Sequence, residues 1–255
     1  MELENPSKRL GQALLFIILS SAAALCFAAG HNERLVAFYE LKLPAGAGPH
    51  PAVVAIPGCS GFRGPMYAKT LRELRDAGFA TIRVDYLAAS GNSQCRIGNE
   101  ILVTKDQVAA DIGQAVAYLQ SQANIKKSAI NLLGWSYGGG SALQYLARLD
   151  PSKPNPVAAV VAYYPTCTGV TMWTSPTPVL LLFGGADTTA PPSVCRRLLS
   201  GDAASLVQSE EYPGAYHAFD MANLPPKMEY AFGTIGYQPE AAKKARMRLH
   251  GFLKR

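Results

Sequence analysis

Apolar residues occur along this chain in short, largely uninterrupted runs, separated by segments in which they recur every three or four positions. The runs are bounded by glycine, proline or polar residues, and each has the length of one strand. Runs of this kind predict strands that are buried on both faces. They lie at residues 52–56, 80–85, 129–133, 157–163 and 179–183.

The segments between these runs have the periodicity of amphipathic helices. In residues 66–77, Leu71 and Leu74 fall on one face, charged residues cover the other, and Gly78 ends the helix. Residues 88–99 are rich in Gly, Ser and Asn and predict a loop. We predict further helices at residues 105–122, 141–149, 192–199 and 240–253, an edge strand at residues 35–43 and a last strand at residues 209–212.

Strands and helices therefore alternate from about residue 35 to the end of the chain. Because the strands are apolar on both faces, the pattern predicts an α/β fold with a mostly parallel central sheet and helices on both sides. Residues 31–255 have the length of one α/β domain, and we expect a single catalytic or binding domain over this range.

The first 30 residues have a different character. Lys8 and Arg9 precede an uncharged run, residues 10–30, which has an apolar centre at residues 14–19 and ends in small residues. This order is typical of a secretory signal peptide, and cleavage after Ala28 or after Gly30 fits it. An uncleaved membrane anchor is the alternative, because the run has the borderline length of a membrane span. We therefore expect a periplasmic or secreted protein that contacts a membrane only if this segment is retained.

The distribution of charge, and the spacing of His, Cys and Asp, predict that the protein binds no nucleic acid, metal or cofactor. The formal net charge is +6, but the basic residues are scattered and are not interleaved with aromatic residues, so we predict no nucleic-acid binding. A solvated basic surface explains the charge. No cluster of His, Cys and Asp has the spacing of metal ligands, and we predict neither a metal nor a cofactor. The oligomeric state is left open.

Four cysteines follow the predicted signal: Cys59, Cys95, Cys167 and Cys195. An oxidising compartment would permit disulfides, and four cysteines allow three pairings. Four separate buried thiols are the alternative, because free cysteine is often buried.

The motif Gly134-Trp-Ser136-Tyr-Gly138 has the form G-x-S-x-G, and it lies between a predicted strand and a predicted helix. In that context the motif forms a tight turn that exposes the serine hydroxyl at the carboxyl edge of the sheet. The helix behind the turn points its N-terminus at the serine, which favours negative charge there. We predict Ser136 as a nucleophile, and a structural turn is the alternative.

A serine nucleophile needs a general base and an acid that orients it. His217 lies in a loop after the last predicted strand. The other histidines are less suited: His31 lies at the predicted cleavage site, His50 in a turn, and His250 on the last helix. Asp187 follows a buried strand and lies between Ser136 and His217 in the chain, which is the order expected for such a triad. Asp202 is the rival acid, but it has the context of a turn residue.

The negative oxygen of an acyl-transfer intermediate needs two backbone N–H donors. Tyr137 directly follows the nucleophile and should supply the first. The second should come from residues 57–61, where we choose Cys59 because Pro57 has no N–H. Cys59 could alternatively be a nucleophile itself, but it lacks the strand–turn–helix context.

These motifs together resemble the dienelactone hydrolase family of α/β-hydrolases. The resemblance extends from about residue 35 to the C-terminus and rests on residues 57–61, the helix and strand at 67–86, and residues 134–139, 185–187 and 216–219. It implies the α/β-hydrolase fold with no large lid, acting on small esters or lactones. It also implies the pairings Cys59–Cys95 and Cys167–Cys195, because each pair lies in neighbouring loops at the same edge of that fold.

The chain departs from the family pattern at two places. The enzymes that gave the family its name use a cysteine nucleophile where this chain has Ser136, which puts dienelactone itself in doubt as the substrate. Relatives often have His-Gly in the oxyanion loop where this chain has Pro57-Gly58. The expected function is therefore hydrolysis of small carboxylic esters or lactones by Ser136, Asp187 and His217 without a cofactor. The alternatives are an exported serine peptidase of the prolyl oligopeptidase type and an inactive α/β-hydrolase that serves as a binding protein.

Overall fold

A mostly parallel sheet of seven strands forms the centre of the part of the chain that the computed structural model describes, namely residues 39–170, 174, 176–199 and 205–254. In chain order the strands are β1 (Tyr39–Lys42), β2 (His50–Ile56), β3 (Ala80–Val84), β4 (Arg96–Ile97), β5 (Glu100–Ile101), β6 (Ile125–Trp135), β7 (Ala159–Tyr163), β8 (Val179–Gly184), β9 (Val207–Tyr212), β10 (Met228–Tyr230) and β11 (Gly233–Ile235). The helices are α1 (Pro65–Asp76), α2 (Tyr86–Ser90), α3 (Lys105–Ser121), α4 (Tyr137–Ala147), α5 (Pro192–Arg196) and α6 (Pro239–Leu253), with a 3-10 turn at Arg197–Leu199.

The strand order of the large sheet is β1-β3-β2-β6-β7-β8-β9. Only β1 is antiparallel to its neighbour, and the other six strands are parallel. The predicted α/β fold with a mostly parallel sheet is confirmed. Because the carboxyl ends of parallel strands meet at one edge, Ile56 of β2 pairs with Gly134 of β6, and Trp135 pairs with Tyr163 of β7. The loops that follow these three strands therefore converge.

Helices cover both faces of the sheet, as predicted. Adjacent residues of β2 point to opposite faces, so Val54 packs with Ile112 of α3 and Leu143 of α4 in one core cluster. Val53 packs in a second cluster with residues of α1 and α6, such as Leu74 and Leu249. All of these side chains are fully buried. The apolar runs read from the sequence thus supply both layers of the core.

The prediction of a plain loop at residues 88–99 is wrong. Helix α2 extends into this segment because the carboxylate of Asp85 accepts a hydrogen bond from the amide of Ala88 and caps the helix. The segment then enters the hairpin formed by β4 and β5. The hairpin of β10 and β11 was not predicted either. Both hairpins are short and mostly exposed, so they lack the apolar pattern that marks a buried strand.

The predicted signal peptide, residues 1–30, lies outside the described residues, as does His31. Residues 38–255 form one compact unit. Within the described part of the chain, no helix combines the length and the apolar character needed to cross a membrane.

Candidate active site

A strained turn at the carboxyl end of β6 presents the hydroxyl of Ser136. The strand ends at Trp135 and helix α4 begins at Tyr137, so one residue makes the whole connection. Ser136 has φ 52° and ψ −114°, a backbone conformation that is rare for a side-chain-bearing residue. Hydrogen bonds hold this turn: the amide of Ser136 donates to the carbonyl of Tyr163, and the carbonyl of Ser136 accepts from the amide of Gly140.

The two glycines of the motif are required by close packing. A Cβ atom on Gly134 would lie 2.5 Å from the carbonyl oxygen of Gly138. A Cβ atom on Gly138 would lie 2.3 Å from the carbonyl oxygen of Pro57 in the neighbouring loop. Since backbone atoms cannot move aside as side chains do, only glycine fits at these two positions.

Ser136, His217 and Asp187 form a continuous hydrogen-bonded relay. Nε2 of His217 lies 2.8 Å from Oγ of Ser136, and Nδ1 of His217 lies 2.7 Å from Oδ2 of Asp187. The other carboxylate oxygen of Asp187 accepts hydrogen bonds from the amides of Thr189 and Ala190. The side chains of His217 and Asp187 are buried, so bulk water does not compete for these bonds. The structure thus brings together the three residues selected from the sequence.

The remaining candidates lie elsewhere. The amide of His50 donates to the carbonyl of Asn124 at the start of β2, and His250 lies near Glu73 on the helical surface. Asp85 caps α2. Asp202, the rival acid, falls outside the described residues.

The loop after β2 lies against the nucleophile turn. A Cβ atom on Gly58 would lie 3.5 Å from the Cβ atom of Ser136. The amide of Gly58 donates to the hydroxyl of Tyr67, so it is already engaged. The amide of Cys59 forms no hydrogen bond with another described residue. The amide of Tyr137 begins helix α4, and amides in the first turn of a helix have no partner within the helix.

Two disulfides join the loops around this edge of the sheet. Cys59 is bonded to Cys95, and Cys167 is bonded to Cys195. These are the two pairs that the family resemblance implied. Since the sulfur of Cys59 is part of a disulfide, it does not have the free thiol that a cysteine nucleophile needs.

A cavity of about 540 Å³ opens beside Ser136. Its walls come from the disulfide loops, from the start of α3 and from both hairpins, including Cys59, Arg96, Lys105, Tyr137, Tyr230 and Phe232. The guanidinium of Arg96 lies 4.3 Å from the ring centre of Phe232, so a cation–π contact connects the two hairpins. Burial lowers the pKa of Lys105 and raises the pKa of Tyr137.

The sequence by itself predicts that the pocket wall comes from loops at residues 62–66, 90–97 and 166–175, with Arg63 and Trp173 as candidates for substrate contacts. Residues 94–96 and 166–169 line the cavity, but residues 62–66 do not, and Arg63 instead donates to the carbonyl of Ser93. Trp173 falls outside the described residues. Tyr230 and Phe232 were missed because an exposed aromatic residue in a short hairpin carries no pattern that marks it as a cavity residue. Among the described residues, no group of His, Cys, Asp or Glu is arranged to hold a metal ion.

The chain was compared with protein families, curated sequences and solved structures. The model of the Dienelactone hydrolase family matches residues 39–255. A comparison with curated protein sequences finds no match. Among solved structures, a putative dienelactone hydrolase from Klebsiella pneumoniae is similar, with 22% identity and a TM-score of 0.66 over 85% of this chain and 92% of that chain.

Two further structures share the fold at lower identity. Thermogutta terrifontis esterase 2, phosphorylated by paraoxon, has 16% identity and a TM-score of 0.58, and the match covers 84% of this chain and 87% of that chain. Est1E from Butyrivibrio proteoclasticus, with ferulic acid bound, has 15% identity and a TM-score of 0.57, with 85% and 95% covered.

Proposed function

The chain belongs to the dienelactone hydrolase family, and from this premise we propose that it cleaves small carboxylic esters or lactones through an acyl-enzyme on Ser136, with His217 as the general base and Asp187 as its orienting acid. Membership in the family makes the chain a carboxylic ester hydrolase. The choice of residues and of small substrates is the finer step, and the hydrogen-bonded relay from Asp187 through His217 to Ser136 carries it.

The relay suits proton transfer in the acylation step. Nε2 of His217 accepts the hydroxyl proton of Ser136 as Oγ attacks the ester carbonyl carbon. The carboxylate of Asp187 accepts from Nδ1, which leaves Nε2 unprotonated and stabilises the imidazolium that forms. The protonated His217 then donates to the leaving alkoxide, the C–O bond of the ester breaks, and the alcohol departs. In a lactone the same bond breaks, and the alcohol stays attached to the acyl group.

Deacylation reverses these roles with water as the nucleophile. His217 takes a proton from water, the hydroxide adds to the acyl carbon, and the proton returns to Oγ of Ser136 as the acid is released. In both steps the carbonyl oxygen becomes an oxyanion. We propose that the amides of Tyr137 and Cys59 donate to it, since one begins a helix and the other has no partner among the described residues.

The cavity favours small substrates that have an apolar or aromatic acyl group. Its volume is about 540 Å³, and pockets of this order take ligands of drug size or smaller. The rings of Tyr137, Tyr230 and Phe232 offer flat apolar surface, while Lys105 and Arg96 add polar contacts. The feruloyl group, whose parent ferulic acid is bound in Est1E, is an example of an acyl group that combines these features.

We also propose that the protein is exported through the predicted signal in residues 1–30. Two disulfides support this proposal, because disulfides persist in the periplasm and outside the cell and are rare in the cytosol. The N-terminal sequence of the protein isolated from the periplasm or the culture medium tests it. A mature chain that begins at Ala29 or His31 is expected, and an intact N-terminus in a membrane fraction would favour the anchored form.

The decisive experiment compares hydrolysis of p-nitrophenyl acetate, p-nitrophenyl butyrate and methyl ferulate by the wild type and by Ser136→Ala. We expect the substitution to lower kcat by about four orders of magnitude or more, because removal of a triad nucleophile leaves only residual catalysis. Ser128→Ala, on the exposed part of the same strand, is the matched control and should retain wild-type activity. Turnover that survives in folded Ser136→Ala would refute the assignment.

Covalent labelling identifies the nucleophile independently of the natural substrate. Paraoxon phosphorylates Thermogutta terrifontis esterase 2. In this chain, attack by Oγ of Ser136 on phosphorus should release p-nitrophenolate and leave a diethylphosphoryl group on the peptide that contains Ser136, as detected by mass spectrometry. Labelling of another residue, or no labelling of the folded protein, would contradict the proposal.

A further inference from the structure

The carboxylate of Asp220 lies behind the catalytic relay and takes no part in the mechanism above. It accepts two hydrogen bonds from different parts of the fold. Nε1 of Trp135 donates to Oδ2 at 3.1 Å, and the hydroxyl of Tyr164 donates to Oδ1 at 2.6 Å. Trp135 is the residue before the nucleophile, and Asp220 itself follows His217 by three positions. One carboxylate therefore connects the serine turn, the end of β7 and the histidine loop.

These three segments are also the strained parts of the backbone. Among the described residues, only three residues other than glycine have positive φ: Ser136 at 52°, Tyr164 at 35° and Ala218 at 58°. Each conformation costs free energy and persists only where surrounding contacts impose it. Asp220 contacts Tyr164 directly, contacts the neighbour of Ser136, and lies two residues from Ala218. It is therefore placed to hold all three strained segments.

Tyr164 links this carboxylate to the general base. The rings of Tyr164 and His217 meet edge to face, with their centres 4.7 Å apart. The hydroxyl at the far end of Tyr164 is the group that donates to Asp220. A shift of Asp220 would therefore move the surface on which the imidazole of His217 rests.

We infer that Asp220 is a positioning residue of the catalytic site, which fixes Trp135 and Tyr164 so that His217 stays within hydrogen-bond distance of Ser136. This inference rests on the proposed function. It adds a second carboxylate to the site: Asp187 orients His217 through Nδ1, and Asp220 orients it through the ring of Tyr164. Asp220 touches neither substrate nor reacting atoms.

The surroundings of Asp220 argue against a role in stability alone. No cation forms an ion pair with it among the described residues. The titratable groups that face it are Tyr67 from α1, Tyr163 at the end of β7, Tyr164 directly after that strand, and His217 of its own loop. Burial raises the pKa of the Asp220 carboxyl to about 6, although the hydrogen bonds from Tyr164 and Trp135 lower it. A buried carboxylate without a cation is costly, and such groups concentrate at functional sites.

The test measures kcat and KM for Asp220→Asn and Tyr164→Phe on the best p-nitrophenyl ester. Asparagine keeps the shape but has only one acceptor oxygen, so it cannot accept from both Trp135 and Tyr164 as the carboxylate does, whereas phenylalanine keeps the ring against His217 and removes only the hydroxyl. Turnover is expressed per active site titrated with paraoxon, so that misfolded protein does not count. We expect kcat to fall by about tenfold or more in each variant with KM within about twofold, because small misplacements of a catalytic group are costly.

Two further variants make the result specific. The kcat of the double variant should be no lower than that of the less active single variant, since both substitutions break the same connection. Asp85→Asn, which keeps a good helix cap away from the site, should retain wild-type kcat. Wild-type kcat in Asp220→Asn, or additive losses in the double variant, would overturn the inference. If wild type and Ser136→Ala are equally inactive on every ester, the proposed function itself fails instead.

Discussion

The carbonyl of Cys59 accepts a hydrogen bond of 2.8 Å from the amide of Cys95, and the side chains of the same two residues are joined by a disulfide. A main-chain hydrogen bond and a disulfide thus hold the same pair of loops together, and we call this double connection the clamp. On one side is the loop whose Cys59 amide we propose as an oxyanion donor, and on the other is the segment that enters the hairpin of β4 and β5. The clamp also carries Arg96 to the edge of the cavity.

Removal of this clamp should weaken catalysis more than removal of the other disulfide. The bridges close loops with sequence separations of 36 and 28 residues, so each should contribute a similar stability, about 3–4 kcal/mol. We expect Cys59→Ser/Cys95→Ser to lower kcat by about tenfold or more, because one proposed oxyanion donor loses its position. Cys167→Ser/Cys195→Ser should lose similar stability and less activity, as measured by urea unfolding and by kcat. Equal losses of activity would show that the two bridges act only through stability.

An alanine at either glycine of the nucleophile turn should disrupt the site. In Gly138→Ala the new Cβ atom would collide with the carbonyl oxygens of Pro57 and Ile56. We expect a loss of several kcal/mol of stability or a displaced oxyanion loop, by analogy with other overpacked cores. Gly251→Ala is the control, because Gly251 lies in α6 where an added Cβ atom would meet open space, and the substitution should stabilise the protein by about 0.5–1 kcal/mol. Full activity and normal stability in Gly138→Ala would contradict the described turn.

The contact between Arg96 and Phe232 should control substrate binding. It joins hairpins that are distant in sequence, and both residues line the cavity. Arg96→Met and Phe232→Leu should each raise KM for aromatic esters with a smaller effect on kcat. In a double-mutant cycle on stability the coupling energy should be about 0.5–1 kcal/mol. A coupling energy of zero, together with an unchanged KM in both variants, would show that the hairpins are independent.

The ionisation of Asp220 should make the wild type less stable as the pH rises. Its folded pKa of about 6 lies above the value of an unfolded aspartate, so the folded state binds the proton more tightly. The stabilisation is complete below the unfolded pKa and is lost as the pH rises through about 6. Asp220→Asn cannot ionise, and its Tm should exceed that of the wild type at pH 8 and approach it at pH 4. A Tm below that of the wild type at pH 8 would show that the carboxylate stabilises the fold.

Much of the fold was readable from the sequence because its signals are local. Apolar runs predict buried strands, and β6, β7 and β8 overlap the runs at residues 129–133, 157–163 and 179–183. The nucleophile turn was also readable, because the close approach of strand and helix excludes every residue but glycine at Gly134 and Gly138. His217 stood out because the chain has only four histidines and the other three lie in unsuitable contexts.

Tertiary structure decided the features that depend on contacts between distant residues. Asp187 is brought to His217 across 30 residues, and Asp220 to Trp135 across 85. Asp187 could be selected from the sequence by its place after a buried strand and between Ser136 and His217, but no local pattern distinguishes Asp220 from other loop aspartates, since an isolated carboxylate is equally suited to a turn, a cap or the surface.

The order of residues along the chain by itself determined that this chain would bury a mostly parallel sheet and place Ser136 in a tight turn at its edge. Which hairpins surround that serine, and that Asp220 bonds to Trp135 and Tyr164, were decided only by the packing. The physical reason is that burial is encoded residue by residue along a strand. A hydrogen bond between two loops, in contrast, forms only after the strands that carry those loops have been assembled into the sheet.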